Sequence, residues 1–171
     1  MQINVAGLLK SAVGAQRDYE VNETLKLLDG ESPVEGTVTL VRTNRGILVR
    51  ANVKTNVEIS CSRCLGRYRQ PLAIKIEEEY FPTLDIVSGT PLPPPDEPGS
   101  FLINEHHILD LGEAVRQYTL LALPMKPLCH EECAGICPTC GADRNQGDCG
   151  CPTQQTDPRW AKLAKLLNTD K

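Results

Sequence analysis

The sequence predicts an α+β fold: an antiparallel β-meander packed by one or two helices and followed by a C-terminal cysteine-rich segment. Three observations predict it. Apolar and polar residues alternate through three successive runs between residues 34 and 80. A run of helical period follows, opening at Asp110. The eight cysteines fall into four close pairs, Cys61–Cys64, Cys129–Cys133, Cys137–Cys140 and Cys149–Cys151, with none left over.

Residues 1–30 read least clearly. Ile3 and Val5, then Tyr19 and Val21, alternate with polar neighbours and suggest two short strands about a turn at Gly14. From Val34 the pattern sharpens, with Val34, Val38 and Leu40 on one side of a strand. Turn residues Thr43 to Gly46 follow. Next, Ile47, Val49, Ala51, Val53, Val57 and Ile59 share one face, interrupted by Thr55, while charged and amide residues take the other. That period-two run predicts a long strand with one buried face. A third run places Tyr68, Leu72, Ile74, Ile76 and Tyr80 together. Short connections between these runs make the set an antiparallel meander with one solvated side.

Residues 82–100 hold six prolines, which remove backbone donors and fix φ, so a loop is expected there. Asp110 with Glu113 resembles a capping box. Leu111, Ala114, Val115, Tyr118, Leu121 and Ala122 then recur at helical spacing, and Pro124 stops the helix. Beyond the cysteines, Asp157-Pro158 signals a second helix start, with Trp160, Leu163, Ala164 and Leu167 on one face. The chain thus divides into four parts. Residues 1–81 form a β-rich part, 82–100 a Pro-rich loop, 101–128 a helix packing on the sheet, and 129–171 a Cys-rich segment with a C-terminal helix.

Aromatic content is 4% and the formal charge −4, so the core is modest and net charge does not steer the chain to nucleic acid. The first twenty residues lack the basic start of a secretory signal, and Lys10 interrupts their short apolar run. A reducing cytoplasmic setting is expected, where paired cysteines read as metal ligands rather than disulfides.

Cys61-Ser-Arg-Cys64-Leu-Gly66 and Cys137-Pro-Thr-Cys140-Gly141 have the form of zinc knuckles. In such tight turns backbone N–H groups point at the thiolates, and a following glycine suits the left-handed conformation. Two pairs make one tetrahedral Zn²⁺ site, so four pairs make two. The short closing loop favours Cys137, Cys140, Cys149 and Cys151 as one site. Cys61, Cys64, Cys129 and Cys133 then form the other, tying the hairpin tip to the C-terminal half. His130 is an alternative ligand but reads as an exposed loop residue. Cys133-x3-Cys137-x2-Cys140 has the spacing of a radical-type iron–sulfur motif, yet no strand–helix repeats exist to build its barrel. Zinc is the favoured ion, with two sites preferred over one.

Residues 42–75 carry eight basic residues against the single acid Glu58. Alternation puts Arg50, Lys54, Arg67, Arg69 and Lys75 on the solvated sheet face, with Arg63 on the knuckle beside them, as a candidate phosphate-contacting surface. The same residues also fit an ordinary solvated face. No Gly-rich phosphate loop, nucleophile elbow or paired carboxylates stand out, and a four-thiolate zinc has no open position for water. The expectation is therefore a protein that is not an enzyme.

Several motifs in order resemble one family: Val57 to Cys64, Asp110-Leu111, Leu121 to Cys129, Gly135 to Gly141, and Asp157-Pro158-Arg159. Together they resemble the YceD family, the large ribosomal RNA subunit accumulation proteins, over nearly the whole chain from about residue 30. The resemblance implies a cytoplasmic bacterial or organellar protein of ribosome biogenesis, without enzymatic activity. Its partner would be ribosomal RNA or a large-subunit precursor, with a ribosomal protein as a further candidate, and neither a membrane nor a small-molecule substrate. Three modes of action stay open from the residues: RNA binding, a zinc-stapled protein adaptor, and a redox or metal sensor using Cys149 and Cys151.

Overall fold

A computed structural model describes residues 1–28, 30–95 and 98–151. The second predicted helix, with Trp160, lies outside these residues. The elements in chain order are β1 (Gln2–Asn4), α1 (Ala6–Leu9), β2 (Gln16–Leu27), β3 (Gly30–Arg42), β4 (Ile47–Ser60), β5 (Arg67–Pro82), β6 (Phe101–Ile103), β7 (Ile108–Asp110) and α2 (Gly112–Ala122).

The strands form one seven-stranded sheet in the order β1-β7-β6-β5-β4-β3-β2. Strands β2 to β5 are an antiparallel meander, in strict register from Gln16↔Val41 through Ser60↔Arg67. The purely antiparallel expectation needs correction beyond β5. There β6 lies parallel to β5, and β7 and β1 complete a mixed sheet. Parallel neighbours require a long crossover, and this gives the Pro-rich segment its role. Residues 83–100 carry the chain back so that Phe101 can pair beside Tyr80. Part of that crossover is itself folded: Asp85 Oδ1 accepts from the Val87 and Ser88 N–H groups at 3.0 and 2.7 Å, closing a turn across which Leu84 bridges Pro91.

The N-terminal region also differs from expectation. Ile3 and Tyr19-Val21 do lie in strands, but these two strands do not pair. They are the opposite edges of the sheet, and α1 stands between them in sequence. Gly14, at φ 90°, makes the turn into β2. The sheet nevertheless curls until its edges approach, since the Met1 amino group, just ahead of β1, lies 3.7 Å from the Glu23 carboxylate on β2. Gly36 helps this curl, because a Cβ there would collide with the backbone of Asn52 and Val53 on β4.

The concave face holds the core. Ile47, Val49, Ala51, Val53 and Val57 of β4 are buried there with Leu72, Ile74, Ile76 and Tyr80 of β5. Leu8 and Leu9 of α1 and Ala114 and Val115 of α2 cap the same cluster. Thr55 keeps the inward parity of its strand, buried with no partner for its hydroxyl among the described residues. Helix α2 begins one residue later than expected, with Leu111 and not Asp110 as its N-cap. Asp110 closes β7, and its carboxylate accepts from Gly112 N–H at 2.8 Å in a turn just ahead of the helix, whose own N-cap carries no side-chain bond. Glu113 binds Arg116 and Gln117 instead of reaching back. The helix ends at Leu123, whose extended conformation (ψ 137°) is the one that Pro124 requires of its neighbour.

Candidate metal centre

Strands β4 and β5 project the first cysteine pair from the tip of their hairpin. Cys61 N–H donates to Gly66 O at 2.9 Å, and Leu65 N–H donates to Cys61 O at 3.0 Å. The second knuckle repeats these bonds position for position: Cys137 N–H to Ala142 O and Gly141 N–H to Cys137 O, both at 2.8 Å. In each turn the residue directly after the second cysteine is left-handed. In the second knuckle this is Gly141, at φ 75°, as its sequence suggests. In the first it is Leu65, at φ 61°, and not Gly66. A side chain in this conformation costs roughly 1–2 kcal/mol, and Leu65 is 64% exposed.

The structure gathers the cysteine sulfurs into two groups, each with all four atoms within 4.8 Å of one another. One is Cys61, Cys64, Cys129 and Cys133; the other is Cys137, Cys140, Cys149 and Cys151. In the first group Cys61 and Cys133 stand 3.7 Å apart, as do Cys64 and Cys129. Either set could hold a metal ion. His130 Nδ1 lies 3.2 Å from Cys129 Sγ but its side chain is exposed, outside the tetrad.

Electrostatics in both tetrads follow from the knuckle. The Cys64 N–H, above all, holds the Cys61 thiol down to about 6 against the opposing effect of burial. The Cys140 N–H does the same for Cys137, also at about 6. Their neighbours move the other way. Desolvation, followed by the crowding sulfurs, pushes Cys129 up to about 12, and hydrogen bonding with Cys140 leads the rise of Cys151 to about 12. Each tetrad thus pairs one thiol held low with raised neighbours, Cys64 and Cys129 in the first and Cys149 and Cys151 in the second, whose protons a bound cation would displace.

The tetrads differ in their surroundings. Cys61 and Cys133 are buried, whereas Cys140 and Cys149 are exposed. Around the first, Ser62 N–H and Oγ both donate to Pro127 O, at 2.8 and 2.9 Å, clamping the knuckle to the returning chain. Arg63 donates to Cys133 O at 2.9 Å. Its own carbonyl accepts from Ile136 N–H, so Arg63 sits at the junction of the two groups. Gly135 is left-handed there, at φ 72°, and a Cβ at this position would also lie only 3.1 Å from Arg63 O. Asn145, from the second loop, donates to Cys133 Sγ at 3.4 Å and accepts from Ala134 N–H at 2.8 Å. Sequence reading missed Asn145, and its signal was only turn chemistry, an Asx residue two positions after Asp143.

The basic residues lie where alternation places them, with qualifications. Arg50, Lys54, Arg67, Arg69 and Lys75 all point from the convex face and are exposed. Arg50 pairs with Glu77 at 3.0 Å and Arg67 with Glu58 at 3.2 Å. Lys54 stands in register with Glu35. Among the described residues, no salt bridge engages Lys54, Arg69 or Lys75. Arg63 spends its guanidinium on the metal-site backbone instead of extending this face. No described helix is long and apolar enough to cross a membrane.

No solved structure matches the chain. Uncharacterized proteins of Mycobacterium bovis and Mycobacterium tuberculosis are each 29% identical over 128 residues, covering 74% of this chain and 58% of their own length. The chain therefore spans less than two thirds of these relatives. The Arabidopsis thaliana protein named large ribosomal RNA subunit accumulation protein YCED homolog 1, chloroplastic, is 21% identical over 167 residues, covering 85% of this chain and 52% of its own length. The sequence model of the large ribosomal RNA subunit accumulation protein YceD matches residues 49–167, from the middle of the meander through both cysteine tetrads, and the chain belongs to the YceD family.

Proposed function

We propose that this chain is a non-enzymatic, cytoplasmic zinc protein that supports accumulation of large-subunit ribosomal RNA by binding RNA or a ribosomal precursor. The spacing of the sulfurs carries the metal assignment. Four thiolates around one Zn²⁺, at Zn–S of about 2.3 Å, stand roughly 3.8 Å apart along each tetrahedral edge. The first tetrad's separations of 3.7 Å match that edge. An iron–sulfur cluster interposes several atoms between its thiolates and needs a wider set. Four sulfur donors also leave no open position for a catalytic water, which supports a structural metal. Zinc at Cys61, Cys64, Cys129 and Cys133 would fix the hairpin tip beside the convex basic face, where Lys54, Arg69 and Lys75 point outward.

The reading is tested by titrating the zinc-loaded protein against large-subunit ribosomal RNA fragments at several salt concentrations. Affinity should fall steeply with salt, as phosphate contacts release counterions. Arg67→Glu with Arg69→Glu should weaken binding by about tenfold or more. Affinity that ignores salt and survives both changes excludes this face. One observation favours a second reading, a protein adaptor: the segment leading into the first tetrad exposes Leu121 at 79% and Met125 at 100%. A partner retained by the protein after nuclease treatment supports the adaptor over direct RNA binding.

A further inference from the structure

We propose that the second tetrad is an oxidative modification site, in which Cys140 and Cys149 form a disulfide and release its metal while the first tetrad keeps its own. The inference rests on the two-zinc reading and goes beyond it, by assigning different chemistry to the two sites. Three structural differences carry it.

Access comes first. Cys140 and Cys149 are exposed, whereas Cys61 and Cys133 of the other tetrad are buried at 0% and 2%. An oxidant must reach a sulfur to take electrons from it, so susceptibility follows exposure and thiolate character. Zinc-bound cysteines are thiolates, and so exposure decides between the sites.

Geometry comes second. The four sulfurs of the second tetrad lie within 4.8 Å of one another, so disulfide formation needs only a small approach. Cys140 and Cys149 belong to different pairs, joined by a loop in which Gly141 and Gly147 have positive φ, as does Gly150 just beyond Cys149. That loop can shift without moving a strand. The first tetrad lacks this freedom. Cys61 directly follows the last residue of β4, and its turn is clamped to Pro127 through Ser62.

Consequence comes third. Residues 137–151 contribute nothing to the core cluster around the sheet. They touch the first tetrad through Asn145, which donates to Cys133 Sγ, and through Arg144 N–H, which donates to Gly135 O. Loss of the second metal therefore frees a surface loop and removes one hydrogen bond from a ligand of the retained metal.

The reaction balances with a hydroperoxide as oxidant. One thiolate attacks a peroxide oxygen, breaks the O–O bond and becomes a sulfenic acid as hydroxide leaves. The neighbouring thiolate then displaces hydroxide from that sulfur and forms the S–S bond. Two thiolates, one hydrogen peroxide and two protons give one disulfide and two waters. Zn²⁺, left with the Cys137 and Cys151 thiolates alone, dissociates from them into water.

The experiment uses the full chain loaded with zinc. Metal content is measured first, and two zinc per chain establishes the reading on which the inference rests. Hydrogen peroxide is then added, zinc release is followed with a chromogenic chelator, and disulfides are mapped by peptide mass spectrometry. The expected result is release of one zinc of the two, about tenfold or more faster than the other, with Cys140 linked to Cys149. Reductant plus zinc should restore the starting state. A Cys61→Ser variant, if folded, should still release its remaining zinc at the fast rate. Simultaneous release of both metals, resistance of both, or a first disulfide that excludes Cys140 and Cys149 overturns the proposal. A starting content of one zinc instead removes the two-site reading itself.

Discussion

The two tetrads contain the same turn built twice on different foundations. Each opens with a Cys-x-x-Cys knuckle carrying identical backbone hydrogen bonds, and each knuckle lowers its first thiol to about 6. The first turn stands on β4 and β5, in unbroken register from Ile47↔Tyr80 to Ser60↔Arg67. Its remaining sulfurs arrive from Cys129 and Cys133, on the far side of the crossover and α2. The second closes on itself within residues 137–151. Local turn chemistry thus decides how a metal would be held. The span of chain between the cysteines decides what a metal would stabilise, because a longer closed loop removes more freedom from the unfolded chain.

The sharpest way to break this comparison is to remove one sulfur from each site. Cys61→Ser should cost the first metal and more than about 4 kcal/mol of unfolding free energy, since it releases the long-range clip. Cys149→Ser should also cost one metal, yet leave unfolding of the sheet within about 1 kcal/mol of the parent. Calorimetry of both variants, with metal analysis, checks the contrast. Equal losses of stability would show that the second loop also supports the sheet.

Acidification probes what the tetrads share. Binding zinc displaces protons from the raised thiols, Cys129 in one tetrad and Cys151 in the other. Affinity must therefore rise with pH and fall as pH drops. Cys61 and Cys137, depressed to about 6, keep their charge above that pH and lose it as pH falls through it. Both metals should be retained at pH 7 and lost below about pH 6, the second tetrad first because its release leaves the sheet intact. Metal content that does not change between pH 7 and pH 4 would contradict this proton–metal competition.

The smallest effect lies at the left-handed position. Leu65→Gly removes a strained side chain at φ 61° and should raise stability by up to about 1 kcal/mol. Gly141→Leu places that strain in the second knuckle and should weaken its zinc affinity by about tenfold, with little change in sheet unfolding. Competition with a chelator reads the second, and denaturant unfolding the first. A Leu65→Gly variant less stable than its parent would show that the exposed leucine makes a contact worth more than its strain.

Legibility from the sequence divided along similar lines. The alternation from Ile47 to Ile59 was readable because one strand with one wet face repeats every two residues. Residues 1–10 were less so, since β1 pairs with β7, more than one hundred positions away, and no local pattern records that partner. The parallel β6 escaped notice because three residues are too few to show a period. In the candidate site, cysteine pairs were visible as spacing. Asn145 on Cys133 Sγ and the diversion of Arg63 to Cys133 O were not, because both join segments that meet only in the folded chain. The substitution of Leu65 for Gly66 at the left-handed position was hidden for another reason: glycine advertises a tolerance for positive φ, not its use.

Short-range chemistry was determined by the sequence itself: where the chain can turn, which strand face is apolar, and which sulfurs come in pairs, because these depend on neighbours a few residues apart. The tertiary structure alone decided that the sheet curls until β1 nears β2, that a proline-rich crossover lays β6 parallel to β5, and that one tetrad is sheltered while its twin meets solvent. Those outcomes depend on how distant segments share one interior, and packing of that kind is a property of the whole chain.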